Sequence, residues 1–140
     1  RSSDLVLDLY AGSGSLAIEA ISRGMEAAVL VEKDRRAQAI ISENIQMTKE
    51  SERFDLLKME SGRALEMLTG SFDLVLLDPP YAKEQIVEDL EKLEERQLLG
   101  QDVLVVCETD KEVELPEEIA GLGIWKQKIY GISKVTVYVR

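Results

Sequence analysis

The sequence contains no histidine. That excludes a Ser-His-Asp triad, a Cys-His pair and the usual histidine-based zinc sites, and no metal is expected. Cys107 is the only cysteine and cannot close an internal disulfide. Set in the apolar run Val103-Leu104-Val105-Val106-Cys107, it reads as a buried core thiol of a cytoplasmic protein. No apolar stretch approaches the roughly 20 residues that span a bilayer, so no membrane partner is expected. Basic residues are few: 17 against 27 acidic ones give a net charge of −10. That balance argues against a broad nucleic-acid surface. Arg1 is not an initiator methionine, and a segment preceding it is expected to be missing.

What is present is globular in composition, 45% hydrophobic and 31% charged. Its length fits one domain, residues 1–140. Strands are expected at Leu5–Leu9, Ala27–Val31, Phe54–Met59, Phe72–Leu77 and Val103–Glu108. Helices are expected at Ser15–Arg23, Arg35–Thr48, Arg63–Leu68 and Lys83–Arg96. Ala37, Ile41 and Ile45 fall on one face of the second helix, and Ile86, Leu90 and Leu93 on one face of the fourth. The chain closes with strands at Gly123–Tyr130 and Lys134–Val139, close enough in sequence for a hairpin. The alternation predicts a doubly wound, Rossmann-like α/β sheet, mostly parallel with an antiparallel C-terminal hairpin.

Asp78-Pro79-Pro80-Tyr81 stands at the tip of the fourth strand. Two prolines fix φ twice and remove two backbone N–H donors. The residue before each is driven towards an extended conformation, which holds Asp78 out at the tip. The result is a carboxylate, a carbonyl at Pro79 and an aromatic face at Tyr81, a set that suits a planar ring bearing an NH₂ group. Taken alone, the same four residues could be a rigid turn that only stops a strand.

The first strand runs into Ala11-Gly12-Ser13-Gly14. Gly12-x-Gly14-x-x-Ala17, with Glu32 eighteen residues after Gly14, fits a dinucleotide fingerprint in which the acid binds ribose hydroxyls. A nicotinamide-dependent oxidoreductase is therefore a competing reading. Asp8 counts against it, since a carboxylate before the loop would repel a pyrophosphate. S-adenosylmethionine has ribose hydroxyls for Glu32, a cationic amino-acid end for Asp8 and no phosphate. Strand tips in such sheets share one edge, where ligands bind. Gly12, Gly14, Glu32, Glu60-Ser61 and Asp78 to Tyr81 all fall at such tips.

With these residues the chain resembles the class I methyltransferases, and among them the RsmD-type bacterial 16S rRNA guanine-N2 methyltransferases. The likeness is carried by Leu7-Asp8-Leu9-Tyr10-Ala11-Gly12-Ser13-Gly14-Ser15-Leu16, Ile18-Glu19-Ala20, Ser22-Arg23-Gly24 and Val31-Glu32-Lys33. It continues through Met59 to Leu65, Asp78-Pro79-Pro80-Tyr81 and Lys128-x-Tyr130-Gly131. Tyr10 replaces the family's more usual Phe, and Glu60-Ser61 replaces an Asp-Ala pair expected to read adenine. The resemblance implies S-adenosylmethionine as cofactor, held by Asp8, Tyr10, Ala11, Gly12, Ser13, Gly14, Glu32, Lys33, Glu60, Ser61 and Asp78. It implies catalysis at Asp78, Pro79, Pro80 and Tyr81 on the N2 amine of a guanine. The implied partner is 16S rRNA or a small-subunit ribosomal particle, met by a monomer. Other amino-group methyltransferases, acting on adenine or on protein glutamine, would use the same tip. A non-catalytic module that merely binds the cofactor is a further alternative.

Overall fold

In the computed structural model, which describes residues 4–140, the elements run β1 (Leu5–Asp8), α1 (Ser15–Ser22), β2 (Ala27–Val31), α2 (Arg35–Thr48), β3 (Phe54–Leu57) and α3 (Ser61–Met67). They continue as β4 (Phe72–Leu77), α4 (Ala82–Glu95), β5 (Leu99–Asp110), β6 (Glu118–Ile119), β7 (Leu122–Tyr130) and β8 (Ser133–Val139). The expectation about a segment before Arg1 lies outside the described residues. The chain divides into a unit ending at Leu68 and a unit spanning Thr69–Arg140.

In the first unit β1 pairs in parallel with β2, and β2 with β3. Each connection passes through a helix, as parallel pairing requires. Val6, Leu7, Leu30 and Ile41 are fully buried, so α2 and the strands both contribute to this core. Asp34 caps α2, its Oδ2 accepting from Ala37 N–H at 2.9 Å. Because the strands are parallel and in register, with Asp8 opposite Leu30 and Val31 opposite Leu57, their C-terminal tips share one edge of this unit.

In the second unit the strand order is β4-β5-β8-β7-β6. β4 and β5 are parallel, and every later pairing is antiparallel. Ile86, Leu90 and Leu93 of α4 are buried as their spacing predicts. Arg140 fastens the C-terminus, its Nη2 lying 3.1 Å from Glu94 Oε1 and donating to Leu99 O at 2.9 Å. Cys107 is completely buried. Burial, and then the nearby Asp89 charge, push its thiol up to about 12.

The α/β class and the antiparallel C-terminal strands agree with the sequence expectation. Differences are local. β3 ends at Leu57 and not Met59, and α3 starts two residues early at Ser61. β5 begins at Leu99, four residues before the apolar run, and crosses a bulge opposite Phe72–Leu74. β6 was not expected; it turns into β7 through Ala120 and Gly121, both at positive φ.

Candidate active site

The glycine loop of the first unit is closed by its own backbone. Ala11 N–H donates to Val31 O at 3.0 Å, and Gly14 N–H to Ala11 O at 2.8 Å. Both glycines need their left-handed φ, but for different surroundings. A Cβ on Gly14 would stand 3.2 Å from Leu30 Cδ2 and 3.5 Å from Ile41, so the loop sits directly on β2 and α2. A Cβ on Gly12 would meet nothing within 4 Å. Gly12 and Ser13 are exposed, whereas Ala11 is buried.

Glu32 fixes that loop from the tip of β2. Its Oε1 accepts from Gly12 N–H at 2.8 Å and its Oε2 from Asp34 N–H at 2.9 Å. A carboxylate offers about four lone-pair sites, so two such bonds leave room for hydroxyl donors. Two residues that no sequence motif marks complete the frame. Gln38 Nε2 donates to Glu32 O at 2.9 Å, and Asn44 Nδ2 donates to Ser13 O at 2.9 Å. Both lie on α2.

Asp8 ends β1 and is only 4% exposed. Tyr10 is half-buried, and its hydroxyl accepts from Ser61 Oγ at 3.2 Å, across fifty-one residues. Glu60 is the residue before α3, exposed and extended. Lys33 is exposed beside Glu32. The unit thus brings Tyr10 to Ser61 and Glu32 to Gly12. The loop from Asp8 to Gly14 carries a carboxylate and no basic side chain. This set of acceptors fits a ligand with hydroxyls, an amino group and positive charge, as S-adenosylmethionine has, and fits a pyrophosphate poorly.

In the second unit Leu77 is buried and Asp78 emerges from it; Pro79 turns back into the protein, while Pro80 is exposed. Asp78, Pro79 and Pro80 line a cavity of about 290 Å³ together with Glu108, Asp110 and Ser133. Asp78 is exposed as a residue, yet partial burial of its carboxyl, and then the Glu108 charge, hold its pKa above the ordinary 3.8. Tyr81 is not among the residues that wall this cavity; its side chain is 76% exposed where the chain enters α4. Glu108 and Asp110 were missed in the sequence. Their alternation at the end of an apolar strand was the available signal, since residues two apart share a face.

The chain has relatives among known proteins. The family described as conserved hypothetical protein 95 matches residues 2–139. YlbH of Bacillus subtilis, provisionally named an rRNA methyltransferase, is 36% identical over 136 residues, covering 94% of this chain and 73% of that protein. Ribosomal RNA small subunit methyltransferase D of Haemophilus influenzae is 32% identical over 137 residues, covering 94% of this chain and 69% of the relative. Among solved structures, a conserved hypothetical protein of Streptococcus pyogenes is 65% identical. It superimposes with a TM-score of 0.95 over 100% of this chain and 88% of that one.

Proposed function

The chain belongs to the conserved hypothetical protein 95 family, of RsmD type, and on that premise we propose that it methylates the exocyclic N2 amine of a guanine in 16S rRNA, with S-adenosylmethionine as donor. Residues 1–140 would serve as one methyltransferase domain, monomeric, metal-free and cytoplasmic. The naming of the Haemophilus relative supports the RNA substrate. The observation that carries the amine chemistry is the cavity at the tip of β4. Its walls hold Asp78, Glu108 and Asp110 and no Lys or Arg. Such a wall accepts hydrogen bonds from an NH₂ group and disfavours a phosphate.

S-adenosylmethionine, when bound, supplies a methyl group activated by a sulfonium. Glu32 would accept from the ribose hydroxyls while keeping Gly12 in place. Asp8 would oppose the positive amino-acid end. Tyr10, Ala11, Ser13, Gly14 and Lys33 would shape the loop's side of the cofactor, and Glu60 and Ser61 would face the adenine.

An exocyclic amine is a poor nucleophile because its lone pair is delocalised into the ring. Asp78 and the Pro79 carbonyl would accept its two N–H bonds, turning the lone pair away from the ring. Pro80 keeps that turn rigid. Asp78 is also suited to take the proton released, since its carboxyl is more basic than usual. Tyr81 would stack on the base drawn out of the RNA. Orientation of this kind is worth roughly 7–11 kcal/mol, enough to work without a strong general base.

The test is transfer of labelled methyl from S-adenosylmethionine to 16S rRNA or small subunits, followed by digestion to nucleosides. Label in N2-methylguanosine is expected. Label in an adenine product would overturn the guanine assignment, and no transfer to either substrate would overturn the activity.

A further inference from the structure

All 27 acidic residues lie before Leu122, together with 13 of the 17 basic ones. The β7–β8 hairpin that follows carries Lys126, Lys128 and Lys134 and no acid, and Arg140, just after it, is paired with Glu94. A strongly acidic chain therefore ends in a positively charged pair of strands.

Its register ties the hairpin to the cavity. Glu108 pairs with Val135, and Val135 with Lys128; Asp110 pairs with Ser133, and Ser133 with Tyr130. Directly opposed residues project from the same face of a sheet. Lys128 and Tyr130 thus share a face with Glu108 and Asp110, roughly 10 Å away at the usual strand spacing. Ser133, which starts β8, lines the cavity itself.

The exposed side of β7 is not an ordinary solvated edge. Lysines alone would blunt an edge strand against pairing. Here they stand beside exposed rings and an apolar turn: Trp125 and Tyr130 are each more than half exposed, and Ile132 at the turn is 76% exposed. Lys126 Nζ lies 4.2 Å from the Trp125 ring centroid, and Lys128 Nζ lies 5.2 Å from that of Tyr130. Interleaved ammonium groups and π-faces are what a strand of unpaired nucleotides needs, the first for phosphates and the second for bases. The cavity's acids repel phosphate, which leaves the lysine side as the path for the backbone.

We propose that the β7–β8 hairpin captures the single-stranded RNA that flanks the target base, Tyr130 stacking on a neighbouring base and Lys126 and Lys128 contacting phosphates. This rests on the RNA-methyltransferase reading above. It reconciles a net charge of −10 with an RNA substrate, because the positive charge is placed beside the cavity.

The test is equilibrium binding of a fluorescent single-stranded RNA over a range of salt, alongside methyl transfer and cofactor binding. In the Lys126→Gln, Lys128→Gln double variant, the slope of log affinity against log salt should shrink by about 1.4, at about 0.7 for each phosphate no longer neutralised. Tyr130→Ala should weaken binding about 5- to 150-fold, and Tyr130→Phe should restore it, since the ring alone stacks. Affinity for S-adenosylmethionine should not change in any of them. Variants that bind RNA with wild-type affinity and slope, from a parent that methylates RNA, overturn the hairpin's role alone. A parent that binds the cofactor but neither binds nor methylates RNA overturns the RNA reading and this proposal with it. Variants that lose binding to RNA-free ribosomal protein, at unchanged RNA affinity, overturn it in favour of a protein partner.

Discussion

Glu32 holds Gly12: its Oε1 accepts the glycine's N–H at 2.8 Å, across twenty residues of sequence, while its Oε2 takes Asp34 N–H at 2.9 Å. One carboxylate therefore shapes the loop and, in the proposed function, would also accept from the ligand's ribose.

Glu32→Ala should act twice. Cofactor affinity should fall by roughly 1.5–3 kcal/mol, the usual worth of hydrogen bonds to a charged group. The melting temperature should fall as well, because Gly12 and Asp34 N–H both lose their acceptor. Glu32→Gln keeps one acceptor oxygen and should lie between. Calorimetry and thermal unfolding check this; unchanged affinity in the alanine variant would reject the ribose role.

The two loop glycines should fail differently. Gly14→Ala forces a methyl to 3.2 Å from Leu30 Cδ2 at φ +80°. The left-handed backbone alone costs about 1–2 kcal/mol, and crowding adds to it, so stability should drop most. Gly12→Ala has the same backbone cost but open space around it. Its larger effect should be on cofactor affinity, since its methyl points where a ligand would lie. Melting curves and calorimetry on both variants separate the two; a Gly12 variant less stable than the Gly14 variant would contradict the packing.

Asp78→Ala should slow methyl transfer by roughly 10²-fold or more, as about 1.4 kcal/mol corresponds to tenfold. Cofactor affinity should change far less, because the acceptor proposed for this residue would be used mainly in the transition state. Asp78→Asn should be milder, its amide oxygen still facing the amine. In the parent, the single-turnover rate should fall as pH drops through the raised pKa of Asp78, where the carboxylate gains a proton and ceases to accept. A parent rate that is flat across the acid range would contradict the acceptor role.

The same residue should cost stability. Its folded pKa lies above the unfolded value near 3.8, so the folded state binds the proton more tightly. Stability then falls as pH rises through the window between the two values, and the loss is complete above the folded one. Asp78→Asn should therefore melt higher than the parent at neutral pH. The difference should vanish below the unfolded value, where both states are protonated. A lower melting temperature at neutral pH would count against the burial and Glu108 repulsion assigned to this carboxyl.

Tyr81→Ala should weaken RNA capture by about 1–3 kcal/mol, the worth of one aromatic stack. The exposed ring packs against little of the protein, so the melting temperature should hardly move. Binding measured with a single-stranded RNA checks it; a large drop in stability would show the ring to be structural.

Periodicity makes α2 legible to its end residues: Ile41 and Ile45 are buried at i, i+4, and Asp34 supplies the cap. β4 is equally plain, because Pro79 stops it. β5 reads short because Gly100-Gln101-Asp102 looks like a loop. Yet a Cβ on Gly100 would stand 3.0 Å from Phe72 O, so the glycine is what lets the strand close onto β4. β6 is invisible because Ala120 occupies a left-handed turn position that sequence rules give to Gly or Asn. At the site, the glycine loop and the proline turn are legible as local chemistry. Asn44 and Gln38 are not, since their bonds to Ser13 and Glu32 depend on how α2 lies against the loop.

The burial of Cys107 gives the protein an internal gauge of its own opening. A thiol with no exposed surface and a pKa of about 12 is closed to alkylating reagents while β5 stays paired between β4 and β8. Each labelling event therefore counts an excursion that parts the strand ending at the cavity. Ligands of that cavity can then be ranked by how far they slow the modification of a single native thiol, with no engineered probe.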